Sequence, residues 1–117
     1  MNTQELLADG EGAEELIRAG PLVIDEDAFA AWLDGKRLEL THKEFRLLVL
    51  LARNPGRVLR RTRIGMEVWD GHAPGRTIDI HVSRLRRLLP GGSIETVIRV
   101  GYRLALGQTE SRHQAHH

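Results

Sequence analysis

The sequence contains no cysteine, only five aromatic residues in 117 positions, and no long apolar run. Each deficit removes a class of protein. Without thiols there is neither a disulfide scaffold nor a thiolate zinc finger. Five rings are too few for the stacking platforms that hold single-stranded nucleic acid. No wholly apolar stretch exceeds the six residues of Leu47 to Ala52, far short of the roughly 20 residues a membrane-spanning helix needs. Residues 1 to 20 lack the basic start and apolar stretch of a signal peptide, so an intracellular, cytoplasmic setting without membrane contact is expected. With 41% hydrophobic residues the chain can bury one modest core but not two.

Net charge is also nearly absent, at +1, yet the sum conceals a separation. Residues 1–40 carry ten acidic and three basic groups, net −7, whereas residues 41–117 carry fourteen basic and six acidic groups, net +8. Fifteen of the 17 cations are arginine, whose planar fork suits phosphate. Such asymmetry points to a polyanionic partner for the C-terminal part, with an ordinary solvated surface as the plain alternative.

Residues 1–20 mix acids with Gly10, Gly12 and Gly20, and are expected to form a flexible acidic arm, with at most a short helix over 13–19. From Pro21 the pattern changes. Leu22-Val23-Ile24, Ala28 to Leu33 and Arg37 to Leu40, with Asp34-Gly35 between the last two, predict a small antiparallel sheet. Thr41 and Glu44 have capping-box spacing, so a helix follows through Ala52 to Asn54, where Pro55-Gly56 stops it. Its apolar residues cover most of its circumference, which predicts a central, nearly engulfed helix. A shorter helix is expected over Thr62 to Trp69, with Gly65 inside it implying close packing.

The third helix, Arg76 to Leu89, carries the most information. At 100° per residue, Val82, Leu85 and Leu89 lie within about 40° of Ile78, forming one core stripe. Arg76, Ile80, Ser83, Arg84 and Arg87 fall opposite, a face with three arginines and no acid. Asp79 and Arg86 sit on the flank, where Arg86 can pair with Asp79, with Glu67 or with the partner. Two strands, Ile94 to Ile98 and Tyr102 to Leu106, then flank Arg99-Val100-Gly101 as a hairpin. The His-rich tail, 107–117, shows no periodicity and is expected to be disordered.

Sheet, helix, short helix, arginine-faced helix and hairpin in this order describe an α+β winged helix-turn-helix: a small N-terminal antiparallel sheet, three helices and a C-terminal β-hairpin wing. In that arrangement the third helix projects its outer face, and an α-helix fits the major groove of double-stranded DNA. Arginines there can meet guanine edges or phosphates, Ile80 can meet a thymine methyl, and Arg99 on the hairpin can enter the minor groove. The cluster Arg57, Arg60, Arg61 and Arg63 can flank the phosphate backbone, with Arg61 the chief candidate, or lay stems on Trp69.

Thr41-His-Lys-Glu-Phe-Arg-Leu-Leu, Asn54-Pro-Gly-Arg-Val-Leu, Val68-Trp69, Arg76-Thr-Ile-Asp-Ile-His-Val-Ser-Arg-Leu-Arg-Arg and Thr96-Val97 with Val100-Gly-Tyr-Arg-Leu resemble the effector domain of OmpR/PhoB-type response regulators. The likeness runs over residues 21–106 in order and spacing. It implies a bacterial transcription regulator with a major-groove helix, a minor-groove wing, and a loop, here 70–75, that touches RNA polymerase. By position, Arg76, Thr77, Ile80, His81, Ser83 and Arg84 become DNA-contacting candidates. It further implies tandem, dimeric binding on direct repeats. Three positions depart from the family pattern. Arg60 stands where the second helix is usually capped by Ser or Thr, Val97-Ile98-Arg99 replaces Val-Arg-Gly in the wing, and about 20 leading residues cannot hold the usual receiver domain. A free-standing effector is therefore expected.

No catalytic residues, cofactor or metal are expected. Ser83 and His81, two apart on a helix, point to different sides. No glycine-rich turn with lysine follows a strand. His113, His116 and His117 are expected in the disordered tail rather than at a metal. The rival to DNA binding is a winged-helix adaptor whose arginine face docks an acidic protein. The charge split adds an expectation that the acidic segment 5–15 folds across that face and competes with DNA.

Overall fold

A computed structural model describes residues 15–107 of the chain. Most of the acidic arm and almost all of the His-rich tail lie outside these residues. The first four strands form one antiparallel sheet in chain order: β1 (Ile17–Ala19), β2 (Leu22–Asp25), β3 (Ala30–Leu33) and β4 (Lys36–Arg37). Leu22 and Ile24 alternate inward and are fully buried, as a sheet with one covered face requires.

Three local expectations are corrected. Residues 17–19 are an edge strand, not part of a flexible arm or helix. Gly20, at φ +57°, turns the chain so that Ile17 pairs with Ile24 and Ala19 with Leu22. The next strand begins at Ala30 rather than Ala28, because Asp25 Oδ1 accepts the Ala28 N–H (3.2 Å) and Glu26 O accepts the Phe29 N–H (3.1 Å), curling residues 25–29 into a turn. The strand after the Asp34-Gly35 turn stops at Arg37, although Leu38 still donates to Ala31 O (2.8 Å).

Helix α1 (His42–Arg53) begins with the expected capping box: Thr41 Oγ1 accepts the Glu44 N–H (3.2 Å) and Glu44 Oε1 accepts the Thr41 N–H (2.9 Å). Phe45 and the whole run Leu47 to Ala52 are buried. Asn54 closes the helix by donating to Leu50 O (2.8 Å). The core is built around α1, with the sheet, α2 (Arg61–Trp69) and α3 (Thr77–Leu88) packed against it. Gly65 in α2 is explained by the following loop, since a Cβ there would lie 2.7 Å from Gly71 O.

The hairpin strands are β6 (Ile94–Val97) and β7 (Gly101–Leu104), one or two residues displaced from the expected limits. They are joined by a strand that sequence reasoning missed, β5 (Leu59–Arg60), giving a three-stranded sheet ordered β5-β7-β6. Two residues are too short to show alternation. The contact is nonetheless tight, because a Cβ on Gly101 would sit 1.9 Å from Leu59 O. No helix among the described residues is long and apolar enough to cross a membrane.

Candidate nucleic-acid interface

Ile78, Val82, Leu85 and Leu89 are buried, which fixes the rotation of α3 about its axis. The opposite face is therefore the solvent face, and Arg76, Ile80, Ser83, Arg84 and Arg87 are all exposed on it. Arg76 is the N-terminal flanking residue, with helical residues starting at Thr77, whose hydroxyl donates to Pro74 O (2.6 Å). Thr77 is thus half-buried and held to the preceding loop. His81 is also half-buried: its Nδ1 faces Thr77 O at 2.8 Å, so that nitrogen carries the proton, and its ring meets the edge of Trp69 at 5.0 Å between centroids. Of the helix candidates, His81 is the one turned most toward the protein's own side chains.

Arginines of this surface divide into tethered and free groups. The Arg84 guanidinium lies 3.6 Å from Glu44 Oε2, the second oxygen of the capping carboxylate, whose side chain is only 7% exposed. One buried acid thus both starts the central helix and fixes a cation on the exposed face. Arg86 donates through Nε and Nη2 to Ile94 O (3.1 and 2.9 Å) and through Nη2 to Thr96 Oγ1 (2.7 Å). Neither expected acidic partner, Asp79 or Glu67, accepts from it. Its position above β6 lets it satisfy strand groups, and its guanidinium stands 5.7 Å from the Tyr102 ring centre.

Arg61, the chief phosphate candidate, is paired with Asp79 at 2.7 Å, and Asp79 Oδ1 also accepts the Tyr102 hydroxyl. This joins the first residue of α2, the first turn of α3 and the wing. The Arg61 bond, then that of Tyr102, hold the Asp79 carboxyl below the ordinary carboxylate range. Burial first, then the bond to Asp79, push the Tyr102 phenol up. The sequence offered Arg86 as a partner of Asp79; only the three-dimensional proximity of Tyr102 to α3 identifies the actual set. The cation over Trp69 is Lys43, 5.9 Å from the ring centre, while Arg61 stands over Tyr102 at the same distance.

The side chains of Arg57, Arg60, Arg63, Arg76, Arg87 and Arg99 make no hydrogen bond or ion pair among the described residues. Arg60 precedes α2 without a side-chain cap bond, as its chemistry requires: a guanidinium has no acceptor for the free helix N–H groups. Arg99 is exposed at the wing tip, at φ +69°. Among the described residues no cluster of His, Asp or Glu could hold a metal ion.

A central helix, two further helices packed on it by their apolar stripes, and a three-stranded wing beside an arginine face define the class: a winged helix-turn-helix effector domain. Residues 35–104 match the family "Transcriptional regulatory protein, C terminal", and the chain belongs to it, as an effector domain of the OmpR/PhoB type. That family is a regulator domain, not an enzyme. The transcriptional regulatory protein VxrB of Vibrio cholerae is 44% identical over 85 residues, covering 71% of this chain and 35% of VxrB. The DNA-binding domain of CpxR from E. coli superposes with a TM-score of 0.71 at 35% identity, covering 76% of this chain and 94% of that one. The Klebsiella pneumoniae RstA DNA-binding domain, solved in complex with the RstA box, gives a TM-score of 0.71 at 27% identity, covering 77% and 96%. The chain spans less than half the length of the curated relatives it matches.

Proposed function

We propose that this domain binds double-stranded DNA sequence-specifically and regulates transcription in a bacterial cytoplasm. The observation that carries the reading is the outer face of α3, where Arg76, Ile80, Ser83, Arg84 and Arg87 stand exposed with no acid among them. In the major groove, arginine forks can bridge guanine O6 and N7, Ser83 can bond either kind of edge, and Ile80 can meet a thymine methyl. Thr77 and His81, half-buried, serve at the margin of that contact. Arg99 at the wing tip enters the neighbouring minor groove. Arg57, Arg60 and Arg63 face the flanking phosphates, and Arg61 joins them to the extent that phosphate competes with Asp79.

Charge supplies salt-dependent affinity, and the helix face supplies base choice. Neutralising about five phosphates gives a slope of log K against log salt near −4.5. The loop 70–75, pinned by Gly71 donating to Gly65 O (3.1 Å), is the surface we assign to RNA polymerase, and tandem copies on direct repeats are the expected assembly. Selection of sites from random duplex, followed by gel-shift titration at several salt concentrations, tests the reading. An enriched site with a slope near −4.5 supports it. Absence of duplex binding at low salt would overturn it in favour of an adaptor for an acidic protein.

A further inference from the structure

The wing carries an apolar tip with no role in the fold. Ile98 is 77% exposed, more than Met66, Phe29, Ile80 or Val58, the other large hydrophobics left in solvent among the described residues. A lone exposed isoleucine is ordinary; the way this one is held is not. Val97 to Val100 form a four-residue turn closed by Val100 N donating to Val97 O (2.9 Å), and the third residue, Arg99, adopts φ +69°, a backbone conformation that favours glycine. Strain of this kind persists only where the surroundings impose it.

They do so from both sides. Arg86 on α3 clamps β6 through Ile94 O and Thr96 Oγ1, while β7 pairs with β5 and Arg61 N donates to Val100 O (3.2 Å) at the start of α2. The turn cannot fold Ile98 back onto the core, so its side chain is held out in water at a fixed offset from α3. Arg99, exposed and without a side-chain partner among the described residues, stands beside it.

We propose that Ile98 is a reading tip that selects A·T over G·C pairs in the minor groove flanking the site of α3. This rests on the reading of the domain as a duplex DNA binder, and deepens it. The two kinds of pair differ in that groove by one group, the guanine N2 amino donor. An isoleucine offers that donor no acceptor and strips its water, so a G·C pair under the tip leaves a buried polar group unsatisfied. A·T pairs present acceptors only, and their narrower groove draws in the adjacent Arg99.

The experiment starts from the duplex selected by the wild-type domain. Each A·T pair flanking the major-groove site is replaced singly by G·C and by inosine·cytosine, which keeps the major-groove edge of G·C but lacks the N2 amino group. At one or two adjacent pairs we expect G·C to weaken binding about tenfold, the usual cost of one wrong pair, and inosine·cytosine to restore it to within about threefold. Ile98→Ala, with unchanged thermal stability because the residue is exposed, should lower the G·C penalty below about threefold. Ile98→Asn, which can accept from the N2 amino group and can also donate to the acceptors of either pair, should bring the two pairs to within about threefold of each other. If inosine·cytosine behaves as G·C, or Ile98→Ala keeps the full penalty, the tip does not read the minor groove, although the domain still binds duplex. If the wild type binds no duplex, the functional reading itself fails and this inference with it.

Discussion

Replacing Asp79 by alanine removes the acceptor shared by Arg61 and Tyr102, and so cuts the link among α2, α3 and the wing. The cost follows from the two bonds taken separately. Tyr102 is buried, and a hydroxyl bonded to a carboxylate contributes about 2 kcal/mol, most of it the penalty of leaving the phenol O–H without an acceptor while Arg61 still donates to its oxygen. Both Arg61 (41%) and Asp79 (43%) have side chains open to water, so their ion pair adds only about 0.5 kcal/mol after screening. Alanine is the better helix former by roughly 0.5 kcal/mol, whereas the carboxylate gains about as much from the first turn of α3. A net loss of about 2.5 kcal/mol remains, equivalent to a fall in Tm on the order of 10 °C for a domain of this size. Urea unfolding of Asp79→Ala, Tyr102→Phe and the double variant should give a coupling of about 1 kcal/mol. The effect of pH follows from the directions of the two shifts. Asp79 is lowered on folding, chiefly by the Arg61 bond, so its contribution is present above the ordinary carboxylate pKa and lost as pH falls through the depressed one. Tyr102 is raised, first by burial, so its contribution is present below the ordinary tyrosine pKa and lost as pH rises through the elevated one. The gap between wild type and Asp79→Ala should therefore be constant from about pH 5 to 9 and narrow on either side. Additive single variants, or a gap that does not narrow in acid, would refute the shared-acceptor argument.

Gly101→Ala drives a Cβ into Leu59 O and should cost about 3 kcal/mol by urea unfolding; a loss under 1 kcal/mol would mean that β5 is not held against β7 as described. Arg86→Ala should lower stability by about 1–2 kcal/mol while leaving the salt slope of duplex binding unchanged, since its donors are spent on Ile94 and Thr96. Arg87→Ala should do the reverse, with unchanged unfolding and a slope shallower by about 0.9 if it meets a phosphate, or relaxed base choice if it meets guanine. Removal of residues 1–14, which hold four acids and no base, should raise duplex affinity most at low salt; equal affinity with and without them would exclude competition by the acidic arm. The truncation should spare residues 17–19, because β1 is part of the sheet.

What could be read from the sequence was what repeats or caps. The stripe Ile78, Val82, Leu85, Leu89 fixed which side of α3 is outside, and Thr41 with Glu44 marked the start of α1; both signals are local and both hold. β1 and β5 were not legible because three and two residues cannot show a period, and their pairing depends on a positive-φ turn at Gly20 and on the absence of a side chain at Gly101. The partners of Asp79 and Arg86 were illegible for a different reason. Each meets a wing residue more than seven positions away, and sequence spacing ranks such partners only along one helix.

The same limit applies to the charge count, and the structure changes what that count means. Of the cations from residue 41 to 107, Lys43 and Arg46 are spent on backbone oxygens of α2, Arg53 on Glu26, Arg61 on Asp79, Arg84 on Glu44, Arg86 on the wing and Arg103 on Glu95. Six arginines remain without a side-chain hydrogen bond or ion pair among the described residues, and they occur at three places: 57, 60 and 63 around the start of α2, 76 and 87 at the start and on the face of α3, and 99 on the wing. A net of +8 would suggest eight phosphates and a slope near −7. If the domain binds duplex as proposed, with at least one of these six on bases rather than phosphates, the count argues instead for about five phosphates and a slope near −4.5. The tethered arginines act differently: Arg61, Arg84 and Arg86 tie α3 to α2, α1 and the wing, so on the proposed reading the free ones would meet a duplex from a preset frame. Free arginines should therefore govern the salt slope, and tethered ones the alignment on which base choice depends.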